Sequence, residues 1–154
     1  FLRTQQTIAP TLANKQVEPV ANSVFGEEWE GTWLVGMSDF DERAISYRQE
    51  RVNNMHNPEW SFEDGESVSD VLSRVAQAKS VLVDDPAANI LVVSHATYIK
   101  YFFASVLLNT HEPSETLIHF VKTLKISNTG ISLITIDDDN WRVVMINDHA
   151  HFAE

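Results

Sequence analysis

The chain has 154 residues, enough for one domain of ordinary size, which buries roughly 68–70% of the surface its unfolded chain exposes and needs no disulfide or structural metal to fold. Eleven Lys and Arg against 22 Asp and Glu give a net charge of −11, which argues against a nucleic-acid backbone or an anionic membrane as main partner but leaves room for a local basic pocket. Cysteine is absent, and that removes disulfide scaffolds, zinc–thiolate sites and thiol nucleophiles together.

Thr4 to Asn14 carries Ile8, Ala9 and Leu12 on one helical face, with Pro10 expected near the start of that helix or kinking it. Residues 15–36 read as irregular, punctuated by Pro19, Gly26, Gly31 and Gly36, with Phe25, Trp29 and Trp33 between them. Asp39 to Asn53 suits a helix, and Asn57-Pro58 and Asp64-Gly65 mark a loop. Val68, Val71, Leu72, Val75 and Leu82 follow three-to-four spacing, which predicts a helix over 67–83. Ser67 and Asp70 are spaced nearly as a capping box, and Asp84-Asp85-Pro86 stops the helix. Ile90-Leu91-Val92-Val93 is a short, β-branched apolar run, the pattern of a central parallel strand covered on both faces. Beyond Ser94-His95-Ala96-Thr97, the residues Ile99, Phe102, Phe103, Val106 and Leu107 predict a helix over 97–108. Leu124 to Ser127, Ile131 to Ile136 and Trp141 to Ile146 read as strands, the last two joined by a hairpin turn at Asp137-Asp138-Asp139-Asn140. Helices alternating with strands favour α/β. The longest apolar stretch, Tyr98 to Leu108, is interrupted by Lys100 and falls short of the ~18 residues a membrane span needs.

The informative unit is strand, Ser94-His95-Ala96-Thr97, helix. It puts His95 at the carboxyl end of a central strand, the edge where open α/β sheets bind ligands. The helix starting there points free N–H groups at the same spot, which favours an anion and phosphate above all. A histidine in that place either donates to a phosphoryl oxygen or merely caps a helix; spacing alone leaves both open. His149 and His151, beside Asp148, form an H-x-H that a metal could use, but a solvated tail is the simpler expectation. His56, His111 and His119 have no partner pattern.

Five segments, in order, resemble the histidine phosphatase superfamily, also called phosphoglycerate-mutase-like. Val93-Ser94-His95-Ala96-Thr97-Tyr98-Ile99-Lys100 resembles its SHGGxIR segment, and Gly65-Glu66-Ser67 with Val71 and Arg74-Val75 its GES…R helix. Phe1-Leu2-Arg3-Thr4-Gln5-Gln6-Thr7 resembles LxRTxQTA, and Phe25-Gly26-Glu27-Glu28-Trp29-Glu30-Gly31 resembles FGxWEG. Asn128-Thr129-Gly130-Ile131-Ser132, Trp141 and Asn147-Asp148 resemble the closing strands and tail. The resemblance implies a three-layer α/β sandwich with a mostly parallel central sheet, in one domain over residues 1–154.

It also implies phosphoryl transfer through a phosphohistidine. One histidine attacks phosphorus, two arginines and a second histidine surround the phosphoryl oxygens, and a carboxyl protonates the departing oxygen. Phosphoryl transfer needs positive charge and donors on the equatorial oxygens more than it needs covalent help. By this resemblance Arg3 is a phosphate ligand, His95 is the second histidine, and Ala96 offers its backbone N–H to phosphate. Ser94 and Thr97 shape the pocket. The family's Arg-His-Gly motif, whose histidine is the nucleophile, occurs nowhere in these residues. It is expected upstream of Phe1 together with the first central strand, so the 154 residues alone are expected to be inactive, with an open sheet edge that a homodimer is one way to fill. At the position where the family often carries its acid stands Asn22; Glu27, Glu28 and Glu18 are nearby, and Glu28 is the preferred replacement.

A metal-independent phosphomonoester hydrolase follows as the expected activity, with a small phosphorylated substrate, no cofactor, no metal, no nucleic acid or membrane as partner, and a cytoplasmic location. A phosphoglycerate-type mutase is the alternative, though little room appears between Gly26 and Gly65 for the longer segments such mutases carry. The alternative from another class is a non-catalytic phosphatase-like binding module.

Overall fold

The structure is a computed structural model and describes residues 2–137 and 140–151. Phe1 of the first family-like segment and Asp138 and Asp139 of the expected hairpin turn lie outside the described residues.

The first helix, α1, spans Leu2–Lys15 and runs through Pro10 rather than starting at it. Thr4, Ile8 and Leu12, four residues apart, form its half-buried stripe, while Ala9 is exposed. No residue of α1 is fully buried, so this helix is held by its edge contacts more than by core burial. After an irregular stretch with two short 3₁₀ turns, α2 covers Glu42–Asn54 and starts at Asp41, whose side chain accepts from the Arg43 N–H.

The third helix, α3, covers Val68–Asp84 and has the full capping box: Ser67 Oγ accepts from Asp70 N–H, and the Asp70 carboxylate accepts from Ser67 N–H. Such a cap contributes about 1 kcal/mol. Its apolar stripe Val71, Leu72, Val75 and Ala78 is buried. That stripe packs on α4, Ala96–Leu107, which buries Tyr98, Tyr101, Phe102 and Ala104. A fifth helix, α5, Glu115–Thr123, closes the core with Leu117, Ile118 and Val121. The sequence reading had no element there, because Pro113 and polar residues at 110–116 obscure the helix start at Ser114.

Strands β1, Ile131–Asp137, and β2, Asn140–Asp148, pair antiparallel, with Ile134 opposite Val143 and Ile136 opposite Trp141. This is the expected hairpin. It rests on α4 through Trp141, partly buried, whose ring meets the core residue Phe102 edge-on at 5.6 Å between centroids.

Two expected strands are not strands here. Among the described residues the hairpin is the only sheet, so the mostly parallel, three-layer arrangement is not formed by them. Ile90–Val93 runs straight into His95 without a ladder partner, and Ile90, Leu91 and Val92 are 41, 67 and 38% exposed. The reason is physical. An apolar, β-branched run records a preference for extended, covered backbone, but a parallel strand exists only where neighbouring strands take up its N–H and C=O groups. Leu124 to Ser127 likewise leads from α5 toward the hairpin without pairing.

Candidate active site

The site forms where α1, the loop 22–31 and the start of α4 meet. His95 is the N-cap residue of α4, extended at φ −123° and ψ 155°, and only 5% exposed. Its carbonyl accepts the first helical bond from Ile99 N–H. Ser94 fastens the approach by donating from Oγ to the Phe25 carbonyl at 2.7 Å. Arg3, on the first turn of α1, donates from Nε to His95 Nδ1 at 3.0 Å. An Nδ1 that accepts carries no proton, so the neutral ring keeps its hydrogen on Nε2 and is a donor from that nitrogen. Burial, and after it the Arg3 charge, lower the His95 pKa below the ordinary 6.5, against an opposing pull from Glu27.

Glu27 lies on the helix N-terminus. Its Oε1 accepts from Tyr98 N–H at 3.0 Å and from Glu28 N–H at 3.1 Å, and its Oε2 is 3.9 Å from Arg3 Nη2. The place where the helix dipole and an arginine would hold an anion thus already holds a carboxylate. Ala96, expected to touch phosphate through its N–H, is the first residue of α4 and exposed, one residue from His95. Thr97 lies on the wall of the adjoining cavity.

This cavity encloses about 440 Å³. Three arginines (Arg3, Arg48, Arg51) and three glutamates (Glu27, Glu28, Glu30) line it, with Val52 and Thr97. Glu28, the expected acid, is 5% exposed at its side chain and forms an ion pair with Arg51 of α2. Arg48 is paired with Asp39. Glu30 is half-buried on the same wall. Asn22 is the N-cap of the turn 23–25 and accepts from Val24 N–H.

What holds the acidic loop is a set of contacts the sequence reading left without a role. Arg74 of α3 makes a two-pronged pair with Glu66, Nε to Oε1 and Nη2 to Oε2, both 2.7 Å. The same guanidinium donates to the carbonyls of Gly26 at 2.8 Å and Glu27 at 3.2 Å. Glu66 in turn accepts from Trp29 N–H at 2.8 Å and donates its own N–H to the Trp29 carbonyl at 2.7 Å. A planar fork with five donors suits this gathering of carbonyls and a carboxylate. Further on, Gly31 sits at φ +107°, where a side chain would be strained and its Cβ would meet the Trp33 ring at 2.8 Å. The signal for this support was present: Glu66 and Arg74 both stand in the GES…R segment, but no local spacing rule pairs them across eight positions.

The sequence reading therefore located Arg3, His95, Ala96 and Glu28 around one place. Arg48 and Arg51, which no motif marks, complete the cavity with Glu27 and Glu30. Their signal was an acidic loop and a helix rich in both charges, patterns shared with ordinary solvated surfaces.

Residues 1–149 match the family model of the histidine phosphatase superfamily (branch 1). No curated protein and no solved structure matches the chain significantly. With nearly the whole length matched, the chain belongs to the histidine phosphatase superfamily, an α/β group of phosphatases and mutases that act on small phosphorylated substrates.

Proposed function

We propose that the protein is a metal-independent phosphomonoester hydrolase acting through a phosphohistidine, in a single three-layer α/β domain with a mostly parallel sheet, with the nucleophilic histidine in a segment ahead of Phe1. The observation that carries this reading is the Arg3–His95 contact at the N-terminus of α4. A guanidinium and an imidazole meet there beside a helix N-terminus, the kinds of donor that the equatorial oxygens of a transferring phosphoryl group require.

Arg3 and the Ala96 N–H bind the phosphoryl oxygens, and His95 donates from Nε2 as charge redistributes over them. The lowered pKa of His95 keeps the ring neutral at pH 7, so it is held in one donor tautomer by Arg3. The leaving oxygen takes its proton from one of the carboxyls on the cavity wall, Glu27, Glu28 or Glu30. A homodimer in the cytoplasm is the setting in which we place this activity.

The rival reading, a phosphate-binding module without turnover, draws on Asn22, whose side chain caps a turn and has no proton to give. The test is p-nitrophenyl phosphate turnover by the intact protein with a chelator present, alongside trapping of an acid-labile phosphoenzyme. Chelator-resistant turnover with a trapped phosphohistidine supports the hydrolase. Phosphate binding without turnover supports the module, and transfer of the phosphoryl group to a second alcohol in place of water supports a mutase.

A further inference from the structure

We propose that Glu30 is the general acid of this site. The inference rests on the phosphohydrolase reading and assigns within it the proton that the leaving oxygen needs.

Three carboxyls face the cavity, and their surroundings differ. Glu27 already accepts two backbone N–H bonds and lies beside Arg3. Glu28 is buried in its pair with Arg51. Glu30 is half-buried and lines the same cavity as Arg3 and Thr97, and among the described residues its carboxyl has no hydrogen bond and no ion pair. A carboxyl whose oxygens are engaged as acceptors is a poor proton donor; one that is half-buried and makes no such bonds is a better one. Burial holds the Glu30 pKa above the ordinary carboxyl value, Arg48 opposes the shift, and Glu27 and Asp39 add to it.

The step balances. As the nucleophilic nitrogen forms its bond to phosphorus, the P–O bond breaks and both its electrons stay on the leaving oxygen. The Glu30 proton passes to that oxygen, so a neutral alcohol departs and Glu30 is left as carboxylate. Water then attacks the phosphohistidine, the P–N electrons return to nitrogen, and the water proton restores Glu30.

The experiment compares Glu30→Gln with wild type, in the intact protein, on ethyl phosphate and on p-nitrophenyl phosphate. The aryl oxygen leaves with little protonation, whereas the alkyl oxygen does not. Glu30→Gln is expected to lose about 10²–10³-fold more kcat on the alkyl ester than on the aryl ester. The wild-type alkyl rate should also fall as pH rises through the raised Glu30 pKa, a limb absent from the variant. The charged groups around Glu30 are Arg48 and Arg51 on α2, Arg3 on α1, Asp39, and its loop neighbours Glu27 and Glu28. Glu30→Asp keeps a proton on a shorter arm and should restore part of the alkyl rate; if Glu30→Gln does not fold, the same ratio in Glu30→Asp, expected to shift about tenfold, decides. Equal losses on both esters, or none on either, overturn the assignment. If the wild type hydrolyses neither ester, the phosphohydrolase reading fails first and the assignment falls with it.

Discussion

Arg3 on the first turn of α1 and His95 at the start of α4 are 92 residues apart in sequence and joined by one 3.0 Å bond, Nε to Nδ1. That bond sets the imidazole tautomer, and it reaches His95 from a helix that buries nothing completely.

Replacing Arg3 therefore separates function from folding. Arg3→Lys keeps a positive charge but loses the planar fork that reaches both His95 and an anion. Its kcat/KM on a phosphomonoester should fall about 10²-fold, as for loss of one preorganised oxyanion donor. Since the side chain is 64% exposed, the melting temperature should move little. Steady-state kinetics beside a thermal melt checks both.

Glu27 occupies the helix N-terminus that a phosphate would use. In Glu27→Gln the negative charge is gone while the acceptor at Tyr98 N–H remains. An anion near a helix N-terminus is worth about 0.3–1 kcal/mol, so inorganic phosphate should bind up to about fivefold more tightly in the variant. Calorimetric titration measures this; weaker binding would mean that Glu27 helps to hold the anion.

The pH dependence of stability follows from the His95 environment. Its folded pKa lies below 6.5, so the unfolded state binds the proton more readily. Stability from this group is full above pH 6.5 and is lost as pH falls from 6.5 toward the lowered folded value, then levels off. Denaturant melts between pH 5 and 8 should show this slope in the wild type and a smaller one in His95→Gln.

Arg74 secures the loop that carries the acidic residues. Arg74→Leu takes the guanidinium from three carbonyls, Val24, Gly26 and Glu27, and from the Glu66 carboxylate, which keeps the Trp29 N–H. Breaking such a partly buried pair costs about 3 kcal/mol, or roughly 6–12 °C in Tm for a chain of this size. Calorimetric melting checks the shift, and kcat should fall too as the loop loses its place.

Much of this was legible in the sequence, for reasons specific to each part. The periodicity of Val68, Val71, Leu72 and Val75 identified α3 because that spacing faces a core directly. The hairpin was legible from two β-branched runs around a polar turn. His95 and Arg3 were legible because their motif segments are short and local. Ile90–Val93 misled because pairing is non-local: residue preference says extended, and only a neighbouring strand makes a sheet. The Glu28–Arg51 pair and the Glu66–Arg74 fork were invisible for the same reason, since each joins residues from different elements.

The central claim is that His95 acts on the phosphoryl group and does not simply cap a helix. It is tested most directly by kcat of His95→Ala in the intact protein on a phosphomonoester, measured beside its thermal melt. Losing a preorganised donor should lower kcat about 10²–10³-fold, near 2.7–4 kcal/mol, while the melt shifts by roughly 1 kcal/mol or less, because the His95 side chain makes no capping hydrogen bond to the helix it starts. An unchanged kcat with a lowered melting temperature would contradict the account and leave His95 a structural residue.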